Sequence, residues 1–142
     1  NSSFIGDADD PTIRLSGTGG GNDIASLTQL IVAMVHEKRR FVEKVDFVTS
    51  TGFWRGGSTR AESGLITGGP AGVVTDLAIL GFDEETKRMK VQALQAGVTS
   101  EQVQESTGFE LLFDADIESL KPPTHDELTI LREFDPDRIY ID

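Results

Sequence analysis

Four glycines within five positions are the residues of this sequence best suited to bind a reacting group through the backbone: Gly17, Gly19, Gly20 and Gly21. They lie in the segment SGTGGGND, after the extended run TIRL. Glycine loses much conformational entropy on folding, so such a run occurs where φ is positive or where another group approaches closely. Successive amides at a turn can face an oxygen that becomes negative during acyl transfer. The segment therefore predicts either an amide cradle or a structural turn.

A nucleotide loop is a weaker interpretation of the same glycines. Gly17 and Gly19 follow a predicted strand, and Glu37 lies at the spacing of the acid that binds ribose in a dinucleotide fold. However, Asn22 stands where the third glycine of that fingerprint is required, and few residues remain for a crossover helix. A phosphate-binding P-loop is excluded because no Lys-Ser or Lys-Thr pair follows the glycines.

The other residues capable of chemistry form weaker patterns. The sequence has no cysteine, which excludes a thiol nucleophile, a disulfide framework and a thiolate zinc site. His36 ends an apolar run and His125 falls in the first turn of a predicted helix, so both are predicted to be structural or solvated. Asp7, Asp9 and Asp10 lack the glycine and distal glutamate of a calcium loop. We therefore predict an acidic turn there and no metal site.

Charge and hydropathy restrict the function classes further. The formal net charge of -11 argues against nucleic-acid binding, because phosphates would be repelled. The basic cluster Lys38–Arg40 with Lys44 is interpreted as a solvated rim, with an anion or subunit contact as the alternative. No apolar run is long enough to span a membrane and no signal-peptide pattern is present. These features predict a cytoplasmic protein with no membrane partner.

Strand and helix patterns alternate along the chain, which predicts an α/β fold in a single domain over residues 1–142. Capping boxes at Thr99 with Gln102 and at Thr124 with Glu127 each predict a helix. Asn22 or Asp23 is expected to cap a further helix that ends near Thr28, and seven glycines predict a long irregular segment over residues 51–72. Strands are predicted in TIRL, LIVAMV, VDFVTS and FELLF, and a hairpin in GVVTDLAILGFD with RMKVQALQ. The LIVAMV strand is expected to be buried, because the run is continuously apolar.

Several of these segments together resemble one family. GTGGGND resembles the G-x-G-G-A-x-D segment in the B subunit of family I coenzyme A transferases, especially the glutaconate CoA-transferase type. NSSFIGD, HEKRRFVEKVDFVTSTG, VVTDLAILGFDEETKRM, TGFEL and LREFDP also resemble segments of that protein. The resemblance covers nearly the whole chain.

The resemblance implies an open sheet with flanking helices, a CoA-transferase (NagB/RpiA-like) fold of which this chain is the C-terminal part of the B subunit. It implies transfer of CoA from an acyl-CoA to an acceptor carboxylic acid through a glutamyl-CoA thioester, with coenzyme A as substrate and no tightly bound cofactor. The implied partners are an A subunit and the N-terminal half of the B subunit. Gly17, Gly19, Gly20, Gly21 and Asn22 would lie beside the thioester, and the amides of Gly19, Gly20 and Gly21 would lie near the developing oxyanion.

The family's nucleophilic glutamate precedes the segment that NSSFIGD resembles, so we expect it outside this chain and expect the isolated chain to be inactive. Glu62, in the string ESGL, is a second candidate, although it follows GGSTRA and not a buried strand. Two alternatives remain. The chain is a subunit of a related CoA-thioester hydrolase or decarboxylase, or it is a non-catalytic assembly module.

Overall fold

A computed structural model describes residues 3–140 of the chain. Strands and helices are interspersed along these residues, and three strands, β4 to β6, follow one another directly. The strands are β1 Phe4–Gly6, β2 Pro11–Arg14, β3 Gln29–Ala33, β4 Gly69–Val74, β5 Ala78–Phe82, β6 Met89–Leu94 and β7 Leu112–Ser119. The helices are α1 Gly21–Leu27, α2 Thr59–Glu62, α3 Ser100–Glu105 and α4 His125–Phe134.

Five strands form a mixed sheet in the order β3-β4-β5-β6-β7. The two outer pairs, β3 with β4 and β6 with β7, are parallel, whereas β5 is antiparallel to both of its neighbours. β1 and β2 form a separate antiparallel pair. The α/β fold class with an open sheet and flanking helices is confirmed, and the single-domain boundary over residues 1–142 stays a prediction.

The core lies over the middle of this sheet. Leu80 of β5, Val91 of β6 and Val103 of α3 are fully buried and belong to one apolar cluster. Each such side chain contributes about 1.5–3 kcal/mol by leaving water. The cluster also contains Phe41 and Leu111, which come from the segments between the regular elements.

The predicted hairpin is only partly correct. β5 and β6 pair as expected, and the Asp83 carboxylate accepts from the Thr86 amide at 2.8 Å in the turn between them. However, GVVTDLAILGFD is not one strand, because the chain turns at Thr75, just after β4. The Thr75 hydroxyl accepts from the amides of Leu77 and Ala78, at 3.2 and 2.9 Å, and this local turn reverses the chain into β5.

Three other strand predictions need correction. VDFVTS is irregular, since Asp46 accepts from the Gly6 amide at 2.9 Å and Phe47 contacts Phe4 with a centroid distance of 5.4 Å. These contacts tie the segment to β1 and not to the sheet. LIVAMV forms most of β3, but at the sheet edge, where Ile31 is 66% exposed and not buried. The strand predicted in FELLF begins only at Leu112.

Both capping boxes are confirmed. The Thr99 side chain accepts from the Gln102 amide, and the Thr124 side chain accepts from the Glu127 amide. In return, the side chains of Gln102 and Glu127 accept from the backbone amides of Thr99 and Thr124. The expected cap of α1 is wrong, because that helix begins at Gly21 with no side-chain cap. Among residues 3–140, no helix combines the length and the apolar content needed to cross a membrane.

Candidate functional site

The glycine-rich segment forms an irregular connection from β2 into α1. Gly19 adopts a left-handed conformation with φ of 51°. The Gly21 amide donates to the Thr18 carbonyl at 2.9 Å, so it is already used in the turn. Within residues 3–140, the amides of Gly19 and Gly20 have no hydrogen-bond partner. Two of the three amides expected to face an oxyanion are therefore available to bind a group from outside the chain.

The space around these glycines is open. A Cβ atom built on Gly17, Gly19 or Gly20 meets no atom of the rest of the described chain within 4 Å, and one on Gly21 is 3.6 Å from Cβ of Thr18. Gly20 also has an ordinary φ of -64°. Neither backbone conformation nor packing within these residues requires glycine at position 20. A requirement for a small residue there has to come from a ligand or another chain.

Arg60 holds the far end of α1, and no sequence pattern had singled it out. The residue is 5% exposed, and Nη2 of its guanidinium donates to the carbonyls of Ala25, Ser26 and Thr67 at 3.1, 2.8 and 3.1 Å. Nη1 donates to the Gly52 carbonyl at 3.0 Å. A cation at a helix C-terminus satisfies free carbonyls and opposes their partial negative charge. Arg60 thus fastens the irregular segment to α1.

Two glycines allow this close approach. A Cβ atom on Gly68 would lie 2.2 Å from the Thr28 carbonyl oxygen, and the Gly69 amide donates to that oxygen at 2.7 Å. A Cβ atom on Gly69 would lie 3.0 Å from Nε of Arg60. The predicted irregular segment over residues 51–72 is therefore a docked loop that contains α2 and the start of β4.

The second nucleophile candidate, Glu62, lies in α2 and is exposed. The Ser58 hydroxyl donates to its Oε1 atom. The side chain borders a shallow depression of about 290 Å³ together with Trp54 and Arg55. This is a solvated helix position, and the role of Glu62 stays a prediction.

His36 is buried between neutral groups. Its ring nitrogens lie 3.1 Å from Oγ1 of Thr75 and 2.9 Å from Oγ1 of Thr107, and the ring stacks on Phe41 with a centroid distance of 4.1 Å. Burial lowers the pKa of His36 below its usual value of 6.5, and the carboxylate of Asp76 opposes this with a smaller effect. His36 joins the end of β3 to the core as a neutral side chain, which confirms the structural interpretation.

The remaining charged candidates show no preformed site. The Asp9 amide donates to Asp7 at 2.8 Å, which confirms the acidic turn. No group of three or more metal-ligating side chains in residues 3–140 is arranged to hold a metal ion. In the basic cluster, Arg39 and Arg40 bind Glu37 at 2.5 and 3.0 Å, and hydrogen bonds from both lower the pKa of that carboxylate. His125 is exposed in the first turn of α4.

Comparison with known proteins gives consistent matches. The sequence model of the family described as coenzyme A transferase matches residues 1–106. The chain is 43% identical to the B subunit of glutaconate CoA-transferase from Acidaminococcus fermentans, over 99% of this chain and 53% of that protein. It is 37% identical to the B subunit of 3-oxoadipate CoA-transferase from Pseudomonas knackmussii, over 95% of this chain and 52% of that protein.

A more distant relative has another activity in its name. The chain is 30% identical to the cholesterol ring-cleaving hydrolase IpdB subunit of Rhodococcus jostii, over 96% of this chain and 54% of that protein. The chain thus spans about half the length of the curated relatives that it matches.

The fold agrees with these sequence matches. The crystal structure of glutaconate coenzyme A-transferase from Acidaminococcus fermentans superposes with a TM-score of 0.91 and 42% identity, over 100% of this chain and 55% of that chain. The family model covers more than half of the sequence, and the superposition includes the sheet and the glycine-rich connection. The chain therefore belongs to the coenzyme A transferase family.

Proposed function

We propose that this chain forms the C-terminal part of the B subunit of a CoA-transferase that moves CoA from a dicarboxylic or oxo acyl-CoA to an acceptor carboxylic acid. The observation that carries the proposal is the pair of amides at Gly19 and Gly20, in a member of this family. Within residues 3–140 they have no hydrogen-bond partner, and they belong to glycines with open space at the Cβ position. The names of the two transferase relatives suggest glutaconyl and 3-oxoadipyl groups as the first donors to test.

The nucleophile of the proposed reaction is a glutamate outside these 142 residues. Its carboxylate attacks the thioester carbonyl and expels the CoA thiolate, which leaves a mixed anhydride of the acyl group and the glutamyl side chain. The thiolate then attacks the glutamyl carbonyl of the anhydride, forming a glutamyl-CoA thioester and releasing the first acid as its carboxylate. The carboxylate of the acceptor acid reverses both steps and leaves as the new acyl-CoA.

The glycine-rich connection contributes to each attack, because the carbonyl oxygen becomes negative in the tetrahedral intermediate. The Gly19 and Gly20 amides donate to this oxyanion, in a role typically worth about 10²–10³ in rate for one donor. Gly17 and Gly21 leave room for the bulky thioester, and Asn22 shapes the turn into α1. Coenzyme A binds as a substrate, with no tightly bound cofactor.

The proposed assembly contains the N-terminal half of the B subunit and an A subunit, in the cytoplasm. Large apolar side chains in the part of the chain around α1 are exposed, as a surface for such partners requires. They include Ile13, Leu15, Ile24, Leu27 and Ile31, which are between 47% and 66% exposed. Without these partners the chain is proposed to have no transferase activity.

A trapping experiment tests the proposal. The assembled protein is incubated with glutaconyl-CoA or 3-oxoadipyl-CoA without an acceptor, and the glutamyl-CoA thioester is reduced with borohydride and located by peptide mass spectrometry. We expect the reduced residue to be a glutamate outside residues 1–142. Modification of Glu62 would overturn this assignment, and an E62Q variant provides the matched control, because it is expected to trap CoA as well as the unsubstituted protein does.

The same experiment separates the alternatives. Release of the free acid to water with no trapped thioester and no exchange into added acetate would indicate a CoA-thioester hydrolase. Release of carbon dioxide would indicate a decarboxylase. No turnover and no CoA binding in the assembled protein would indicate a non-catalytic assembly module.

A further inference from the structure

The amides of Gly19 and Gly20, which have no hydrogen-bond partner within residues 3–140, have fixed directions. In a trans peptide unit the N–H group points opposite to the carbonyl of the preceding residue. The Thr18 carbonyl, opposite to the Gly19 amide, accepts from the Gly21 amide at 2.9 Å. The Gly19 carbonyl, opposite to the Gly20 amide, accepts from the Asn22 amide at 3.4 Å. The first turn of α1 thus orients both peptide units, and their N–H groups point away from it.

Apolar packing does little to hold α1 in place. Ala25 is the one buried residue of this helix, and Ile24 and Leu27 are 53% and 66% exposed. Within residues 3–140, the apolar cluster over the sheet contains no residue of α1. A helix of seven residues is also too short to be stable by itself. The position of α1 therefore depends on hydrogen bonds to its backbone.

Arg60 clamps the C-terminal half of this helix. Nη2 of its guanidinium donates to the carbonyls of Ala25 and Ser26 at 3.1 and 2.8 Å, and the same guanidinium binds two carbonyls of the docked loop. Just beyond the helix, the Thr28 carbonyl accepts from the Gly69 amide at 2.7 Å. Two separate points along the chain are fixed in this way. The bonds from Arg60 therefore determine the direction of α1, and not only the place where it ends.

The helix acts as a lever between this clamp and the two amides. A helix of seven residues is about 10 Å long, so a change of about 6° in its direction displaces its N-terminal end by about 1 Å. A misplacement of about 1 Å in an active site can cost about 10²-fold in rate. Arg60 is 5% exposed and its planar guanidinium is held by four carbonyls, so the clamp has little freedom to move.

We propose that Arg60 is a positioning residue of the transfer reaction. It acts through α1, whose first turn holds the amides of Gly19 and Gly20 at the place of the developing oxyanion. This role rests on the proposed function, because it concerns the use of those amides in the reaction. A residue that only stabilises the fold changes the fraction of folded molecules. Loss of a positioning residue also lowers the rate of the molecules that are folded.

Nuclear magnetic resonance tests the connection between Arg60 and the amides without any substrate. Labelling with ¹⁵N-glycine reduces the spectrum to the amides of the 15 glycines. We expect the resonances of Gly19 and Gly20 to shift in R60A, and to shift less in R60K, which keeps the charge but not the planar fork. V91A is the matched control, because it destabilises the chain through a cavity in the core and leaves α1 untouched.

Two outcomes of this measurement would contradict the proposal. The first is that the Gly19 and Gly20 resonances stay in place in folded R60A and R60K. The second is that they shift as much in V91A as in the variants of Arg60. If R60A does not fold, R60K decides alone, since lysine cannot reach the same four carbonyls with one nitrogen.

Kinetics of the assembled protein tests the effect on the reaction, at a temperature at which all variants are folded. R60A is expected to lower kcat at least about tenfold, because the amides are displaced from the oxyanion. The KM for acyl-CoA is expected to change by about twofold or less, because these bonds strengthen only in the transition state. R60K is expected to recover part of kcat, and V91A to leave both constants unchanged. Equal losses of kcat in R60A and V91A, or a raised KM with an unchanged kcat, would overturn the proposal.

The two proposals fail separately. If the assembled protein transfers CoA and R60A leaves kcat unchanged, the positioning role of Arg60 fails and the transferase proposal stands. If the glycine resonances shift in R60A but the assembled protein transfers no CoA, the transferase proposal fails. The role of Arg60 in the reaction then fails with it, while its connection to the two amides stands. Support for both proposals requires shifted resonances together with a lowered kcat and an unchanged KM.

Discussion

Around β5 the chain is held together by apolar side chains, whereas around α1 it is held by hydrogen bonds to the backbone. Leu80, Val91 and Val103 are fully buried in the first region. In the second, the buried side chains of α1 and α2 are Ala25 and the cation Arg60. Leu27 of α1 is 66% exposed. The β5 region is therefore stabilised by its own apolar packing, and the α1 region depends on a few polar contacts.

This difference between the two regions shows which part of the fold has groups available for binding. A packed core tolerates little motion and leaves few free backbone groups. Within residues 3–140, the α1 region has two amides without a hydrogen-bond partner in the chain, open glycines and exposed apolar side chains. The packed core and the region with groups available for binding are therefore separate parts of the chain.

The largest effect is expected from L80A, because it leaves a cavity in the core. We expect a loss of about 3 kcal/mol in the free energy of unfolding, measured by urea denaturation. L27A removes the same atoms from an exposed position and is expected to change stability by about 0.5 kcal/mol or less. Equal losses of stability from the two variants would show that the α1 region is packed like the core, which would contradict the difference between the two regions.

The second effect is expected from Arg60. R60A leaves the carbonyls of Ala25, Ser26 and Thr67 without their donor in a buried place, and an unsatisfied buried group costs about 1–3 kcal/mol. We expect a loss of about 2–3 kcal/mol by urea denaturation. R60K keeps the charge but not the branched geometry and is expected to recover less than half of this loss. Full recovery by lysine would show that charge alone holds the loop.

The glycines provide the third test. G68A places a Cβ atom on a residue with φ of 65° and within 2.2 Å of a backbone oxygen, so we expect a loss of about 2 kcal/mol. G20A meets nothing and is expected to change the stability of the chain by about 0.5 kcal/mol or less. In the assembled protein, G20A is expected to lower kcat for transfer although it leaves the stability of the chain almost unchanged. An unchanged kcat in G20A would remove position 20 from the proposed cradle.

Sequence reasoning succeeded where one residue type dictates the local structure. The capping boxes at Thr99 and Thr124 begin the helices they predict, because a hydroxyl and a carboxamide or carboxylate satisfy the free amides locally. It failed where a contact between residues far apart in the sequence determines the local structure. VDFVTS has the composition of a strand, but the bond from Gly6 to Asp46 fixes it elsewhere.

The candidate site was predictable only in part for the same reason. The glycine-rich connection is a local pattern and was found in the sequence. Arg60 was missed because its partners lie up to 35 positions away, and an arginine in a Gly/Ser/Thr-rich loop resembles a solvated cation. Its position between GGST and AESG was the available signal, since a long loop in a compact domain needs an anchor.

The smallest effect is expected from pH, through His36. The pKa of His36 is lower in the folded chain than its unfolded value of 6.5, so the unfolded state binds a proton first as pH falls. The stabilising contribution is present above pH 6.5 and is lost as pH falls toward the folded pKa. Carboxylates such as Glu127 lose their stabilising contribution only at lower pH. A hydrogen bond from the Thr124 amide lowers the pKa of Glu127 below its usual value of 4.5. Urea denaturation between about pH 7.5 and 5 is expected to show falling stability that H36Q abolishes and H125Q retains. A slope that persists unchanged in H36Q would show that His36 is not the source of the pH dependence.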